Sequence, residues 1–322
     1  MTLRLTTKRR QAALLLGALA VLTGATACSS DSSASGSSSS DTVSIQVSPI
    51  TDVAPIYIAE KQGLFKKQGL NVKVTVGQGG AAIAAALQSG SADIGLMNYV
   101  SMINAMSHQL PISLVAEAVR GTPKNFGVVV AKNSSIKTPA DLAGKKIGVI
   151  STGSNADLTT DVRLSELGVS PKSVTYVTVP KPNLLSSLSS GQVDGVVLNE
   201  PDTSSATAKG DRLVLDDIGG STAGVAMGGY ATSSKWASSH KDAIKRFRAA
   251  LSAASKIAAD DPSTVRAILP TYTDLSAEQA KTIVLPSYVA KTSTQQVQKV
   301  ADQMLQFKFL TSALSVSDHV AP

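Results

Sequence analysis

The chain has 322 residues, 43% of them hydrophobic and 4% aromatic, with 30 Lys and Arg against 23 Asp and Glu and a single cysteine. One cysteine excludes an intramolecular disulfide framework, and so few aromatics exclude a deep aromatic cage. The net charge of +7 invites a nucleic-acid reading that its distribution removes: Arg4, Lys8, Arg9 and Arg10 supply four of those charges in the first ten residues, and no basic cluster with interleaved aromatics follows.

Those four residues head "QAALLLGALAVLTG", an apolar run too short to span a bilayer comfortably. The pattern is that of a signal peptide over residues 1–27. "ATAC" then places small residues before Cys28, which resembles a bacterial lipobox with Ala25 where Leu or Val is usual. Cys28 is therefore the expected lipidation site. Removal of the leader leaves 26 basic and 23 acidic residues, a charge of +3. Residues 28–41, "CSSDSSASGSSSSD", are too polar to bury anything and read as a linker. A flexible coil of that length spans about 20 Å.

From residue 42 short apolar runs alternate with amphipathic ones. "VSIQVSPI" reads as a strand, and "APIYIAEKQGLFKKQG" as a helix with Pro55 in its first turn and a stop at Gly63. "NVKVTVGQGG", the Ala-rich "AAIAAALQSG" and "ADIGLM" continue as strand, helix and strand, which predicts a parallel α/β sheet. The order returns after "TPADLAG", a short helix with Thr138 as N-cap, Asp141 three residues on and Gly144 as stop. Strands "KKIGVIS", "SVTYVTV" and "VDGVVL" then alternate with helices "NADLTTDVRLSELG" and "NLLSSLSSG". Beyond Gly219 the chain is mostly helical. Ala243, Phe247, Ala250, Leu251, Ala254 and Ile257 keep helical spacing, and Ser276 with Gln279 and Ser293 with Gln296 read as capping boxes. These helices are expected to cover the first sheet.

One phrase occurs twice. "LQSGSADIGL" at 87–96 and "LSSGQVDGVV" at 188–197 share Leu, Ser, Gly and Asp in the same four slots. Gly90 and Gly191 fall where a left-handed residue ends a helix, and Asp93 and Asp194 open the turn into a strand. Two lobes built to similar rules account for this without common ancestry.

Enzyme signatures are scarce. His108, His240 and His319 stand far apart, and no His-Glu-x-x-His, cysteine pair or Gly-x-Ser-x-Gly elbow occurs. The expectation is accordingly no catalytic residue, no metal and no cofactor. "GQGGAA" satisfies a loose dinucleotide fingerprint through Gly77, Gly79 and Ala82. However, Met97 and Asn98 stand where its acidic partner is required, and it reads as a glycine-rich βα turn. Ligands of open α/β sheets bind at the carboxyl ends of strands, beside free helix N–H groups. The candidates there are Thr51, Asp52, Gln78, Gly79, Gly80, Asn98, Tyr99, Thr152, Ser154, Asn155, Asn199 and Glu200. Asp52, Ser154, Asn155 and Glu200 have a plainer role open to them as helix caps. Tyr57 and Trp236 read as packing residues.

"APIYIAEKQGLFKKQGLNVKV", "ALQSGSADIGL", "TPADLAGKKIGVISTGSNAD" and "SGQVDGVVLNEP" together resemble the solute-binding proteins of ABC importers, in the branch handling sulfonates, taurine, nitrate and thiamine-precursor pyrimidines. The likeness runs from about Val43 to Leu310. It implies an α/β type II periplasmic-binding-protein fold: lobe 1 from residues 42–127 and 223–322, lobe 2 from 128–222, with crossings near Phe126 to Val130 and Thr222 to Tyr230. It further implies a monomer anchored by lipid to the outer face of the bacterial cytoplasmic membrane, with a small-molecule ligand, an ABC permease and its ATPase as partners, and no nucleic acid. Sulfonate carriers of this kind often show Gly-Ser-x-Ala-His, and "GSNAD" puts Asp157 in the histidine slot. Asp52 suits an amine or aminopyrimidine donor, whereas helix N-termini at Gly80 and Ser154 favour an anion; both remain open. The rival readings are a lipid-anchored sensor and an enzyme on the same fold, such as a pyrimidine synthase.

Overall fold

The computed structural model describes residues 41–77 and 79–322; the expected leader, the Cys28 anchor, the linker through residue 40 and Gln78 lie outside the described residues. The first run is β1 (Asp41–Val47), α1 (Ala54–Lys61), α2 (Leu64–Lys67), β2 (Leu70–Val76), α3 (Gly80–Ser89), β3 (Ile94–Asn98), α4 (Tyr99–Ser107) and β4 (Ile112–Arg120). The second is β5 (Phe126–Val130), β6 (Lys146–Val149), α5 (Asn155–Glu166), β7 (Thr175–Thr178), α6 (Leu184–Ser189), β8 (Gly195–Asn199), α7 (Asp202–Ala208) and β9 (Arg212–Asp216). The chain ends with β10 (Ala226–Ser233), α8 (Ser234–Ser239), α9 (Lys241–Asp260), α10 (Pro262–Ile268), α11 (Ala277–Thr282), β11 (Ser287–Tyr288) and α12 (Thr294–Gln306).

Two sheets result, ordered β11-β4-β10-β3-β1-β2 and β7-β6-β8-β5-β9. Within the first, β10-β3-β1-β2 has the same plan as β5-β8-β6-β7 in the second. In each, three parallel strands are flanked by one antiparallel strand. The two lobes anticipated from the alternating pattern are thus present. The passages between sheets fall at 121–125 and 217–225. The division expected after residue 127 cuts into β5: Phe126 and Gly127 already pair with Asn199 and Leu198, because a strand hydrogen-bonded on both edges belongs wholly to its sheet.

The repeated phrase has a physical basis here. Gly90 and Gly191 adopt φ of 75° and 74°, a left-handed conformation that ends a helix without a Cβ penalty. Asp93 then accepts from the backbone N (2.8 Å) and hydroxyl (2.6 Å) of Ser44 in β1, and Asp194 accepts from Lys146 N (2.8 Å) in β6. Each carboxylate pins its corner to the neighbouring parallel strand, so the same residues recur wherever a helix returns to the edge of β1 or β6. The match extends beyond the quoted ten residues to Asn98 and Asn199, the last residues of β3 and β8.

The largest core joins β1 and α1 to α9, with Ile45, Ile56, Tyr230 and Phe247 fully enclosed. As the spacing predicts, Ala243, Phe247, Ala250, Leu251 and Ala254 turn inward. Tyr57 stacks on Tyr272 at 4.0 Å and Trp236 on His240 at 4.6 Å, which makes both packing residues. "TPADLAG" forms a 3-10 turn, Pro139–Leu142, rather than an α-helix, with the Thr138–Asp141 capping box intact. Ser276 and Gln279 cap reciprocally, whereas Ser293 only receives Gln296 N. Among the described residues no helix is long and apolar enough to cross a membrane.

Candidate functional site

Each lobe turns the carboxyl ends of its parallel strands toward the other, and a cavity of about 180 Å³ lies between them. The first lobe contributes Ser48 to Asp52 after β1, Gly79 and Gly80 after β2, and Asn98 ending β3. From the second come Ser151, Ser154 and Asn155 after β6, Lys181 after β7, and Asn199 and Glu200 at β8. The walls between these polar ends are apolar, including Ile83, Met97, Phe126, Ile150, Val197 and Met227.

Gly79 sits at φ 79° and ψ 150°, a combination confined in practice to glycine. It aims the first turn of α3 at the cleft. Gly80 follows against α4, where an added Cβ would stand 2.6 Å from that of Ser101. Asn98 caps α4, accepting from Ser101 N at 2.9 Å.

Asp52 does not cap α1. Its carboxylate receives the Thr51 hydroxyl (3.2 Å), and burial, opposed by that bond, pushes its pKa up to about 6. Glu200 is 1% exposed and fully engaged. It accepts from Ser204 N (3.2 Å) and Oγ (2.7 Å) in its own lobe, and from Val284 N (3.1 Å) in the other. Burial raises its pKa despite these bonds. Asn155 is a second bridge: its Oδ1 accepts from Val100 N (3.2 Å) and its Nδ2 donates to Met227 O (2.6 Å).

The α5 N-terminus has an internal occupant. Asp157 accepts from Gly153 N (2.5 Å) and Ser154 N (2.8 Å), and the Ser154 hydroxyl caps Ala156 N at 3.3 Å. Burial raises the Asp157 pKa against those amide bonds. Lys181 is the cation of the cleft, and Asp202 stands 3.5 Å from it.

Of the sequence candidates, Thr51, Asp52, Gly79, Gly80, Asn98, Ser154, Asn155, Asn199 and Glu200 come together around the cavity. Two do not. Thr152 is exposed at the surface and outside the lining, because the turn after β6 carries it past the cleft. Tyr99 is fully buried in the core behind Asn98, its hydroxyl without a partner, because α4 begins there and its first turn faces inward. Lys181, Asn125 and Phe126 were not among the candidates. The strand-end rule that found the other loops extends to Lys181, since "VPKPNLL" separates a strand from a helix.

Residues 50–265 match the family described as NMT1/THI5 like. The chain belongs to that family. The taurine-binding periplasmic protein of Escherichia coli is 27% identical over 211 residues, 65% of this chain and 64% of that one. A putative thiamine biosynthesis protein of Haemophilus influenzae is 32% identical over 146 residues, 45% of each. The chain thus spans about half to two thirds of the length of these curated relatives. The alkanesulfonate-binding protein SsuA of Xanthomonas axonopodis pv. citri bound to MOPS superposes with a TM-score of 0.75 at 22% identity, over 87% of this chain and 97% of that one. A Candida albicans protein described as having the generic periplasmic binding protein fold gives 0.73 at 19% identity, over 87% and 95%. The two-lobed architecture of this NMT1/THI5-like chain is therefore the periplasmic-binding-protein fold expected from its motifs.

Proposed function

We propose that this chain is the extracytoplasmic solute-binding component of an ABC importer, held at the membrane by a lipid on Cys28 and acting as a monomer. It captures a small polar organic solute between its lobes and presents the closed form to a permease and its ATPase. The observation that carries this reading is a cavity walled by strand ends of both lobes, with hydrogen bonds already crossing between them at Asn155 and Glu200. A solute that touches both walls favours the joined arrangement, and its differential affinity is what drives closure. The taurine-binding and alkanesulfonate-binding relatives support transport rather than conversion. Thr51, Asp52, Gln78, Gly79, Gly80, Asn98, Ser154, Asn155, Asn199 and Glu200 are the residues proposed to shape the site.

The test is to purify the full-length protein from its host, denature it and identify what is released by mass spectrometry. One small solute per chain, recovered unchanged, with a permease and an ATPase encoded beside the gene, is the expected result. An empty protein with no such neighbours overturns the proposal, and a chemically altered solute moves the assignment to an enzyme.

A further inference from the structure

The family's relatives are named for taurine, alkanesulfonate and nitrate, yet this cleft is lined by a carboxylate, Asp52, that has no ionic partner among the described residues. Two helix N-termini face the cleft: that of α3, which opens at Gly80 with no side-chain cap, and that of α5, a 12-residue helix whose dipole and first-turn amides likewise favour negative charge. Asp157 already spends its carboxylate on Gly153 N and Ser154 N, and Ser154 Oγ takes Ala156 N. An incoming anion there meets a buried carboxylate instead of free amides. Lys181 lies 3.5 Å from Asp202, so its charge is matched within its own lobe. Glu200 is matched by three donors.

Asp52 is left. It lines the cavity with one neutral hydroxyl on its carboxylate, and among the described residues no Lys, Arg or His forms an ion pair with it. The titratable groups around it are Tyr230 on β10, Tyr272 before α11 and Tyr288 on β11. Burial raises the pKa of every one, so none carries charge near neutrality. Asn98 and Asn125 commit their Oδ1 atoms to Ser101 N and Thr122 N, which leaves each an Nδ2 donor at the cavity wall.

Resting on the solute-capture reading, we infer that the solute carries a protonated nitrogen that pairs with Asp52, together with an acceptor atom for the asparagine amides, and that an anion lacking the nitrogen is not retained. A partly desolvated charge-assisted bond of this kind is among the strong ones. Removing one partner of such a pair costs roughly thirtyfold or more in affinity.

The test is calorimetric titration of the full-length protein in detergent with matched probes: taurine against ethanesulfonate, and 3-aminopropanol against 1-propanol. Each amine is expected to bind at least about thirtyfold tighter than its amine-free counterpart. Asp52→Asn is expected to abolish that preference and Asp52→Glu, which keeps the charge, to retain it. Because Asp52 titrates near 6, the amines should also lose about tenfold in affinity per pH unit below that point. Ethanesulfonate binding as tightly as taurine, or Asp52→Asn leaving the preference intact, overturns the inference while leaving solute capture standing. No heat from either amine also overturns it; mass spectrometry of the released solute then decides capture separately, since a released solute without a basic nitrogen supports capture and refutes only the charge assignment.

Discussion

Asn155→Ala removes the side chain that ties α5 to the first lobe. The residue is 7% exposed, and with it go the bonds from Val100 N (3.2 Å) and to Met227 O (2.6 Å). Each stranded backbone group costs about 1–3 kcal/mol. The pair therefore puts the loss at about 2–6 kcal/mol, toward the lower figure where water enters the space vacated. For a body of this size that is a fall in Tm of at least about 4 °C. Asn155→Asp is a sharper control: it keeps an acceptor for Val100 N but sets a carboxylate oxygen against the Met227 carbonyl, and should be at least as damaging. Urea unfolding of the solute-free full-length protein, followed by circular dichroism, reads both. Unfolding of Asn155→Ala within about 0.5 kcal/mol of the parent, the scatter of ordinary surface substitutions, refutes the bridging role. A fall in solute affinity at unchanged stability would assign Asn155 to the ligand alone.

Gly79→Ala meets no atom within 4 Å of the new Cβ, so its cost is conformational, about 1–3 kcal/mol from forcing a side chain into φ 79° and ψ 150°; unfolding indistinguishable from the parent would contradict it. Tyr99→Phe deletes a fully buried hydroxyl that has no partner. Stability should hold or rise by up to about 1 kcal/mol with solute affinity unchanged, and a loss in either puts Tyr99 back in the site. Asp217 is fully buried, accepts from the Thr160 hydroxyl at 2.7 Å, leaves Oδ1 unpaired, and has its pKa driven well above the usual carboxylate range by burial. The folded chain then keeps a proton that the unfolded chain loses above about pH 4, so this residue lowers stability as pH rises from there toward its folded pKa. Asp217→Asn should therefore gain on the parent between about pH 4 and pH 8 in parallel urea titrations; a constant difference across that range would show that Asp217 does not titrate.

Local rules made much of the fold legible. Alternating apolar runs, Pro55 in its first turn, Gly63 and the Thr138–Asp141 cap each fixed an element end through chemistry within a few residues. The strand-end rule placed nine of its candidates around one cavity because parallel strands return their carboxyl ends to one side. Tyr99 and Thr152 fall outside the cavity for separate local reasons: α4 opens at Tyr99 and turns it into the core, and the bend after β6 carries Thr152 to the surface. Lys181 stands in the same kind of loop, between the strand and the helix that the sequence shows on either side of it. The role of Asp157 was hidden in a different way. A carboxylate three residues into a helix reads as an ordinary cap, and only its position at the cleft makes the cap a competitor for ligand.

The two lobes show why a shared plan does not impose a shared ligand. Asn98 and Asn199 end equivalent strands, at the same distance beyond the repeated phrase, so the scaffold delivers an amide to the cleft from each side. The neighbours of these two asparagines differ. Tyr99 turns into the core, while Glu200 reaches across to Val284 N and holds the lobes together. The loops after β1 and β6 differ as well: the Asp52 carboxylate receives only the Thr51 hydroxyl, whereas Asp157 accepts from Gly153 N and Ser154 N at its own helix N-terminus. Corner residues such as Gly90, Gly191, Asp93 and Asp194 are constrained by the sheet and cannot vary with the ligand. Residues just beyond the strand ends are held differently: Asn155 and Glu200 bond to the opposite lobe, and Gly79 keeps a conformation that only glycine adopts readily. On the inference above, selectivity lies with Asp52, a loop residue after β1 that stands outside the repeated phrase.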